Sequence, residues 1–361
     1  MIMVNPNSAF WLGKRVLMTG HTGFKGSWLS LWLQSMGAEV CGFALKPLTN
    51  PSLFYAAGVA KGLRSEIGDV RNYNHVLSVT KSFQPEIVFH LAAQPLVRQS
   101  YIDPIETYST NLMGTVNLLE AVKNVGSVKA VVNVTSDKCY ENREWVWGYR
   151  EDEPMGGFDP YSNSKGCSEL ITNSYRQSFY SDLGIGLATA RAGNVIGGGD
   201  WSQDRLVPDL LAAFERKESV ILRNPQAIRP WQHVLEPLSG YLMLAENLFS
   251  YGNRFSGAWN FGPHEQDAKT VQSIVERLAT TWGDGAMWQI DTSPQPHEAN
   301  YLKLDISKAK HFLHWNPRWE LGFAIEKIID WHKAWLDRSD MRIKCISQID
   351  EFLNLQEGTE L

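Results

Sequence analysis

Short apolar runs alternate with helical patterns through the first half of the chain. Arg15–Thr19 (RVLMT) is one such run, closed by Gly20, and reads as a buried strand. A glycine-spaced turn follows, then a helical stretch carrying Leu29, Leu31, Trp32 and Leu33 that stops at Gly37. Ala38–Leu45, Glu86–Leu91 (EIVFHL), Lys129–Thr135 (KAVVNVT) and Gly186–Ala192 (GLATARA) repeat the strand pattern, and Asn111–Lys123 has helical periodicity. Strands alternating with helices predict an α/β fold: a doubly wound, Rossmann-type parallel sheet covered on both faces. In such sheets ligands collect at the carboxyl ends of the strands. After Gly197 the alternation gives way to Gly and Pro clusters (GGGDW, RNPQAIRP, NFGPHE, TSPQPHE), as expected of a smaller lobe closing over the sheet edge. The expected division is 1–193 for the sheet domain and 194–361 for a mainly substrate-binding α/β lobe, with some segments returning to the first domain.

Composition narrows the function. Apolar residues at 43% and charged residues at 20% are ordinary for a globular chain of 361 residues and argue against disorder. A net charge of -5 without a basic tract gives no means of neutralising nucleic-acid phosphates. Cys41, Cys139, Cys167 and Cys345 lie far apart with no metal-ligand rhythm, so free thiols in a reducing cytoplasm are expected and no metal site is. Met1–Arg15 lacks the order of a signal peptide, and no run of about 18 apolar residues occurs, so no membrane span is expected. Most of the 14 tryptophans read as packing residues.

Thr19–Gly26 reads TGHTGFKG, with glycines at 20, 23 and 26 between the first strand and the first helix. Gly20 allows the tight turn, Gly23 lets the backbone approach a pyrophosphate, and Gly26 permits close helix–strand packing. The second strand ends FALKPLTN, without the acid that would bind adenosine ribose hydroxyls, which leaves NADP open beside NAD; Lys46 is placed to approach a 2′-phosphate or to face solvent. His21, inside the turn, either crowds the phosphates or faces solvent, and with the missing acid it predicts a readily lost NAD. Further on, DPYSNSK places Tyr161 and Lys165 four apart, on one helix face. An ammonium beside a phenol favours phenolate, so a depressed Tyr161 pKa is expected, suited to a general base. Ser136, at the end of the Lys129–Thr135 strand, is placed to bond the oxygen that Tyr161 deprotonates.

TGHTGFKG, HLAAQ, NLMGTVNLLEA, TSDKCY, YSNSK and RAGNVIGGGDW, in this order, resemble the extended short-chain dehydrogenase/reductase family. TSDKCY with AGNVIGGGDW is most similar to its 4,6-dehydratases that act on CDP-glucose. The resemblance implies NAD as cofactor, held by Gly20, Gly23, Phe24 and Gly26, with Asp69 and Val70 at the adenine. It also implies Leu91, Ala92 and Ala93 along the cofactor, Lys165 on the nicotinamide ribose, and Asn111 in support. The implied chemistry is an internal redox cycle: oxidation at C4, loss of water across C5 and C6, and reduction at C6. Asp137 would be the acid for the C6 hydroxyl. Many 4,6-dehydratases carry Glu next, as base at C5; here Lys138 stands there, and to be a base it would have to be neutral, through burial or a nearby cation. The resemblance further implies Asn194 at the sugar or its phosphate and Arg229 of RPWQHV at the diphosphate. Asp200, Arg205, Asn260, Tyr301 and Lys303 are weaker candidates for the pocket lining. A homodimer or homotetramer and a role in making deoxysugars for bacterial surface polysaccharide, including lipopolysaccharide O-antigen, are implied as well. A nucleotide-sugar 4-epimerase, or a dinucleotide-binding redox sensor without catalysis, are the alternatives; Asp137 argues against the first and the Tyr161–Lys165 pair against the second.

Overall fold

A computed structural model describes residues 5–222, 224–290 and 301–354; the TSPQPHE cluster lies outside the described residues. Seven strands form one parallel sheet: β1 (Arg15–Thr19), β2 (Glu39–Ala44), β3 (Arg64–Ile67), β4 (Ile87–His90), β5 (Ala130–Val134), β6 (Gly186–Ala192) and β7 (Gly257–Phe261). Their order across the sheet is β7-β6-β5-β4-β1-β2-β3. The order reverses between β1 and β4, the switch point where doubly wound sheets open a crevice.

The apolar runs form where expected, Gly186–Ala192 over its full length and the Glu86–Leu91 and Lys129–Thr135 runs shorter by a residue at each end. Leu91 and Thr135, with Ser136 next along the chain, are left on the loops that face the crevice. β3 reads RSEI, an exposed polar strand on the sheet edge without an apolar signature. β7 lies beyond the point where the alternation breaks down, and it pairs with β6 to close the other edge.

Helices cover both faces. α1 (Phe24–Ser35) is buried at every position from Gly26 to Leu33, sandwiched rather than amphipathic. It ends at Gly37, whose φ of +78° stops the helix. α2 (Tyr73–Phe83) and α3 (Gly114–Lys123) pack on the opposite face, around Leu17, Val88, Leu118, Val122 and Val131. The helical pattern predicted from Asn111 begins as a wide turn over Ser109–Met113 before α3. α4 (Pro160–Tyr175) starts with Pro160 in its first turn, and the Asp159 side chain accepts from Ser162 N at 2.9 Å.

The second lobe packs α5 (Leu206–Arg216) and α7 (Val271–Trp282) with α8 (Leu321–Leu336) around Leu210, Phe214, Ile274, Leu278, Ile325 and Ile328. Between α5 and α7 in sequence, α6 (Leu235–Tyr251) runs buried against β5 and β6. The last helix, α9 (Met341–Asn354), returns to lie on α1. Six tryptophans, Trp11, Trp28, Trp32, Trp259, Trp315 and Trp331, are wholly buried, in keeping with their reading as packing residues. Among the described residues no helix is long and apolar enough to cross a membrane.

Candidate active site

A cleft of about 1470 Å³ opens over the carboxyl ends of the strands, and the glycine turn forms one end of it. Gly20 has φ +79°, and a Cβ there would sit 2.7 Å from Ala92 N. At Gly26 a Cβ would lie 2.1 Å from the Gly20 carbonyl oxygen, so only glycine lets α1 approach β1 this closely. Gly23 caps α1 without a side-chain partner, which leaves the first N–H groups of the helix to an anion. Gly20, Gly23, Phe24 and Gly26 line the cleft, followed by Leu91, Ala92 and Ala93 and, further along, Asp69 and Val70. This cradle fits the pyrophosphate of a dinucleotide. Arg71 grips the Asp69 carboxylate, at 2.5 Å from Nη2, and holds it below its usual range. Leu45 and Lys46 line the wall where a ribose-binding acid would stand.

His21 departs from both expectations for it. The ring neither crowds the phosphates nor meets solvent: it is fully buried, bonds Ser65 Oγ at 2.8 Å through Nε2 and packs edge-on against Phe54. It occupies the space that the missing Cβ of Gly42 leaves, since such a carbon would fall 2.2 Å from the ring. The step in sequence that hid this was across strands, from the turn to β2 and β3.

Ser136, Asp137 and Lys138 leave β5 in a tight turn that lines the cleft beside Tyr161 and Lys165. Lys138 N donates to Ser136 Oγ at 3.2 Å, and Ser136 Oγ donates to Asp137 Oδ1 at 3.0 Å. Asp137 is 3% exposed, and its Oδ2 has no partner among the described residues. Burial pushes its carboxyl above the usual range, against the pull of Lys138, Ser136, Lys25 and Arg229. Such a group keeps its proton more readily than an exposed aspartate.

The expected depression of Tyr161 is not what the environment produces. Burial pushes the phenol up, and the groups that pull it back are the Ser136 hydroxyl, by hydrogen bonding, and the Arg205 guanidinium. Lys165 instead donates to the Val134 carbonyl at 3.3 Å, and burial brings it down to about 8. One turn along α4, Glu169 forms a buried pair with Arg191 at 2.8 Å and also binds Thr135 and Thr189. That network joins the ends of β5 and β6 to the Tyr-Lys helix. Asn111 ties in from the other side: it accepts from Gln94 N at 2.8 Å and donates to Ser164 Oγ at 2.8 Å.

Lys25 is the residue that sequence reasoning passed over. It sits in the glycine motif, between Gly23 and Gly26, and its side chain lines the cleft. Burial, then Arg205 and Lys165, bring its ammonium down to about 7, with Asp137 and Asp200 pulling the other way. Burial and nearby cations are the two conditions set for a neutral lysine, and they are met here.

The nucleotide end gathers some candidates and not others. Asn194, Asp200, Arg205 and Arg229 line the cleft. Arg205 lies 3.5 Å from Asp200, and Arg229 donates to the Ile228 carbonyl at 2.9 Å. Asn260 is a correction: it is fully buried, accepts from Tyr140 Oη at 2.7 Å, and donates to the carbonyls of Tyr149 and Asp305. Every polar atom of its side chain is spent on the protein, so none is left for a ligand. Tyr301 and Lys303 lie outside the described walls of the cleft, with the Lys303 ammonium 4.9 Å over the Tyr301 ring.

The family model for GDP-mannose 4,6 dehydratase matches residues 17–328, which covers the sheet from Leu17 of β1 onward and most of the second lobe. The chain belongs to the GDP-mannose 4,6 dehydratase family. Within this dehydratase family it is 59% identical to the CDP-glucose 4,6-dehydratase of Salmonella typhimurium, over 98% of this chain and 99% of that one. It is 24% identical to the CDP-paratose 2-epimerase of Salmonella typhi, over 88% of this chain and 98% of that one. Among solved structures, the dTDP-glucose 4,6-dehydratase of Streptomyces venezuelae, with NAD bound, superposes with a TM-score of 0.76 at 20% identity, covering 90% of this chain and 99% of that one. MoeE5, solved in complex with UDP-glucose and NAD, gives 0.74 at 26% identity, covering 89% and 99%. The Rossmann-type fold and the extended short-chain dehydrogenase/reductase membership read from the sequence are thereby established.

Proposed function

We propose that this chain is a lyase that converts CDP-glucose to CDP-4-dehydro-6-deoxy-glucose with NAD as cofactor. The observation that carries the reading is a buried Asp137, its carboxyl pushed above the usual range by burial, on the cleft wall with Ser136, Tyr161 and Lys165, in a chain 59% identical to a CDP-glucose 4,6-dehydratase. Gly20, Gly23, Phe24 and Gly26 would hold NAD, which would supply the acceptor and later the donor of hydride. Tyr161 removes the C4 hydroxyl proton while Ser136 bonds the same oxygen. Lys165 supports the nicotinamide ribose. Asp137 protonates the departing C6 hydroxyl, a step that an epimerase does not need; Lys138, next to it, takes the proton at C5, orients a water that does, or pairs with Asp137. Asn194 and Arg229 hold the sugar nucleotide, with Arg205 beside them; guanidinium groups suit a diphosphate that must be held without reacting.

The division of labour follows the chain: residues 1–193 hold the dinucleotide and residues 194–361 mainly the sugar nucleotide. Four free thiols, three of them buried, favour a reducing cytoplasm. Ile102, Ile105 and Leu170 present exposed apolar side chains on α4 and on the short helices packed against it, which favours a homo-oligomer through that face.

The test is to incubate the protein with NAD and, separately, CDP-, UDP-, dTDP- and GDP-linked hexoses, and to weigh the products. Loss of one water from CDP-glucose alone supports the reading. Loss from another nucleotide sugar keeps the chemistry and discards the substrate. An unchanged mass with inverted C4 makes the chain an epimerase.

A further inference from the structure

In the proposed reaction Ser136 and Asp137 act on the sugar from the turn after β5, and Tyr161 acts on it from α4. The two elements are separate, so a small slip between them pulls the acting groups apart. The sheet holds the turn from one side only: Thr135 N donates to the Ala190 carbonyl of β6 at 3.0 Å. Its register against α4 is set by a buried ion pair.

Glu169 stands one turn beyond Lys165 on the same face of α4. Its Oε1 accepts from Thr135 Oγ1 and from Arg191 Nε, the latter at 2.9 Å. Its Oε2 accepts from Thr189 Oγ1 at 2.7 Å and from Arg191 Nη2 at 2.8 Å. Burial works to raise this carboxyl, but Arg191 and the two threonine hydroxyls bring it below the usual range, so it serves as an acceptor. The remaining nitrogen of Arg191, Nη1, donates to Tyr140 Oη at 2.7 Å and to the Glu151 carbonyl at 3.0 Å. Thr135 comes directly before Ser136, and Tyr140 follows shortly after Lys138. The same ion pair therefore grips the chain on both sides of the reactive turn. Gly166 lets α4 come close enough for this, since a Cβ there would lie 3.1 Å from the Cys139 carbonyl oxygen. Thr135, Tyr140, Glu169 and Arg191 are all buried, so bulk water does not stand ready to replace a bond that is cut.

Resting on the dehydratase reading, we propose that Glu169 and Arg191 are positioning residues, which clamp the chain at Thr135 and Tyr140 and so hold Ser136 and Asp137 in register with Tyr161 and Lys165. Removing Glu169 itself would leave a buried guanidinium unpaired and put the fold at risk, so the bonds at the two ends of the turn are the ones to cut. Thr135→Val takes away one hydroxyl and keeps the shape of the side chain. Tyr140→Phe takes away the other. In both variants Arg191 keeps its bonds to Glu169 and to the Glu151 carbonyl. With NAD present, each should show a kcat for CDP-glucose lower by on the order of tenfold to a hundredfold. KM should stay within about twofold, because Asn194 and Arg229 are on none of the bonds removed. Thr135→Ser, which puts a hydroxyl back, should recover most of the lost rate. Bonds that serve stability alone predict a lower melting temperature with kcat per folded site unchanged. That result in either variant overturns the clamp, as does a loss carried mainly by KM, or a Thr135→Ser chain as slow as Thr135→Val. An unaltered chain that forms no dehydrated product would instead end the dehydratase reading, and the clamp with it, before any variant is compared.

Discussion

Single side chains set the chemistry of the cleft through burial more than through their nearest charge. Asp137 is 3% exposed, and its carboxyl is held above the usual range even with Lys138 adjacent. An Asp137→Asn variant keeps the shape and loses the proton. It should still oxidise CDP-glucose at C4 while losing water on the order of 10²–10⁴-fold more slowly, so reduced nicotinamide absorbance builds up where the unaltered chain shows little. Lys25 carries a stability prediction with a definite sign. Its folded pKa, about 7, lies below the ordinary lysine value of 10.5, so below pH 7 the folded chain bears the cost of a charge partly removed from water. Between those two values the unfolded chain binds more protons, so stability rises with pH across the window. Lys25→Met should therefore be more stable than the unaltered chain by about 2 kcal/mol at pH 6, discounted for its partial exposure. The advantage should shrink from pH 7 upward and vanish near 10.5. Urea melts of both chains at pH 6 and pH 9 check it, and an advantage independent of pH would place the effect in packing instead.

At the scale of elements, the glycine turn was readable because its reasons are local. Spacing alone announced a strand, a sharp turn and a helix whose first N–H groups are free, and the contacts of Gly20 and Gly26 bear this out. Gly26→Ala should strain the turn, since its Cβ would fall 2.1 Å from the Gly20 carbonyl oxygen. The expected result is a loss of about 1–3 kcal/mol in stability and a large drop in NAD affinity, read by denaturant titration and by fluorescence titration. Unchanged affinity would mean that α1 can move away from β1 without disturbing the phosphate site. Elements defined by partners rather than by pattern were not readable. β3 is a polar edge strand, and β7 adds to β6 from a distant part of the chain. Asn260 was a candidate for the pocket lining, yet the partners that absorb its amide, Tyr140, Tyr149 and Asp305, are brought to it only by the fold. His21 likewise found its place through Ser65 and the gap at Gly42, neither of which its own segment announces.

For the whole molecule, the order of the chain hides how the two ends depend on each other. The residues that close the phosphate cradle come first, but the helix behind them is braced by the last. α9 covers α1: Phe352 packs edge-on against Trp32 at 5.8 Å and against Trp319 at 5.4 Å, and Arg342 donates to Gln34 Oε1 at 2.8 Å. Trp331 of α8 reaches Cys345 Sγ at 3.3 Å, so the same helix also ties the second lobe down. From the second lobe side, Trp28 of α1 donates to the Gly198 carbonyl at 3.0 Å, inside the GGGDW segment that lines the cleft. α1 thus stands between the cofactor cradle and both C-terminal helices, and its unbroken burial from Gly26 to Leu33 is the sequence trace of that position. Ending the chain after Asp340 would strip this cover and expose Trp32, which is wholly buried. Uncovering an aromatic side chain of that size costs about 3 kcal/mol, and the lost contacts of Ile349 and Phe352 add to it. The shortened chain should melt well below the full one, and its NAD affinity should fall with the order of α1 even though no residue of the cradle has changed. Calorimetry and NAD titration on the two chains distinguish the outcomes: a fall in both ties the C-terminus to the cradle through α1, whereas a lower melting point with unchanged affinity would show the cradle to be set by β1 and the glycine turn alone.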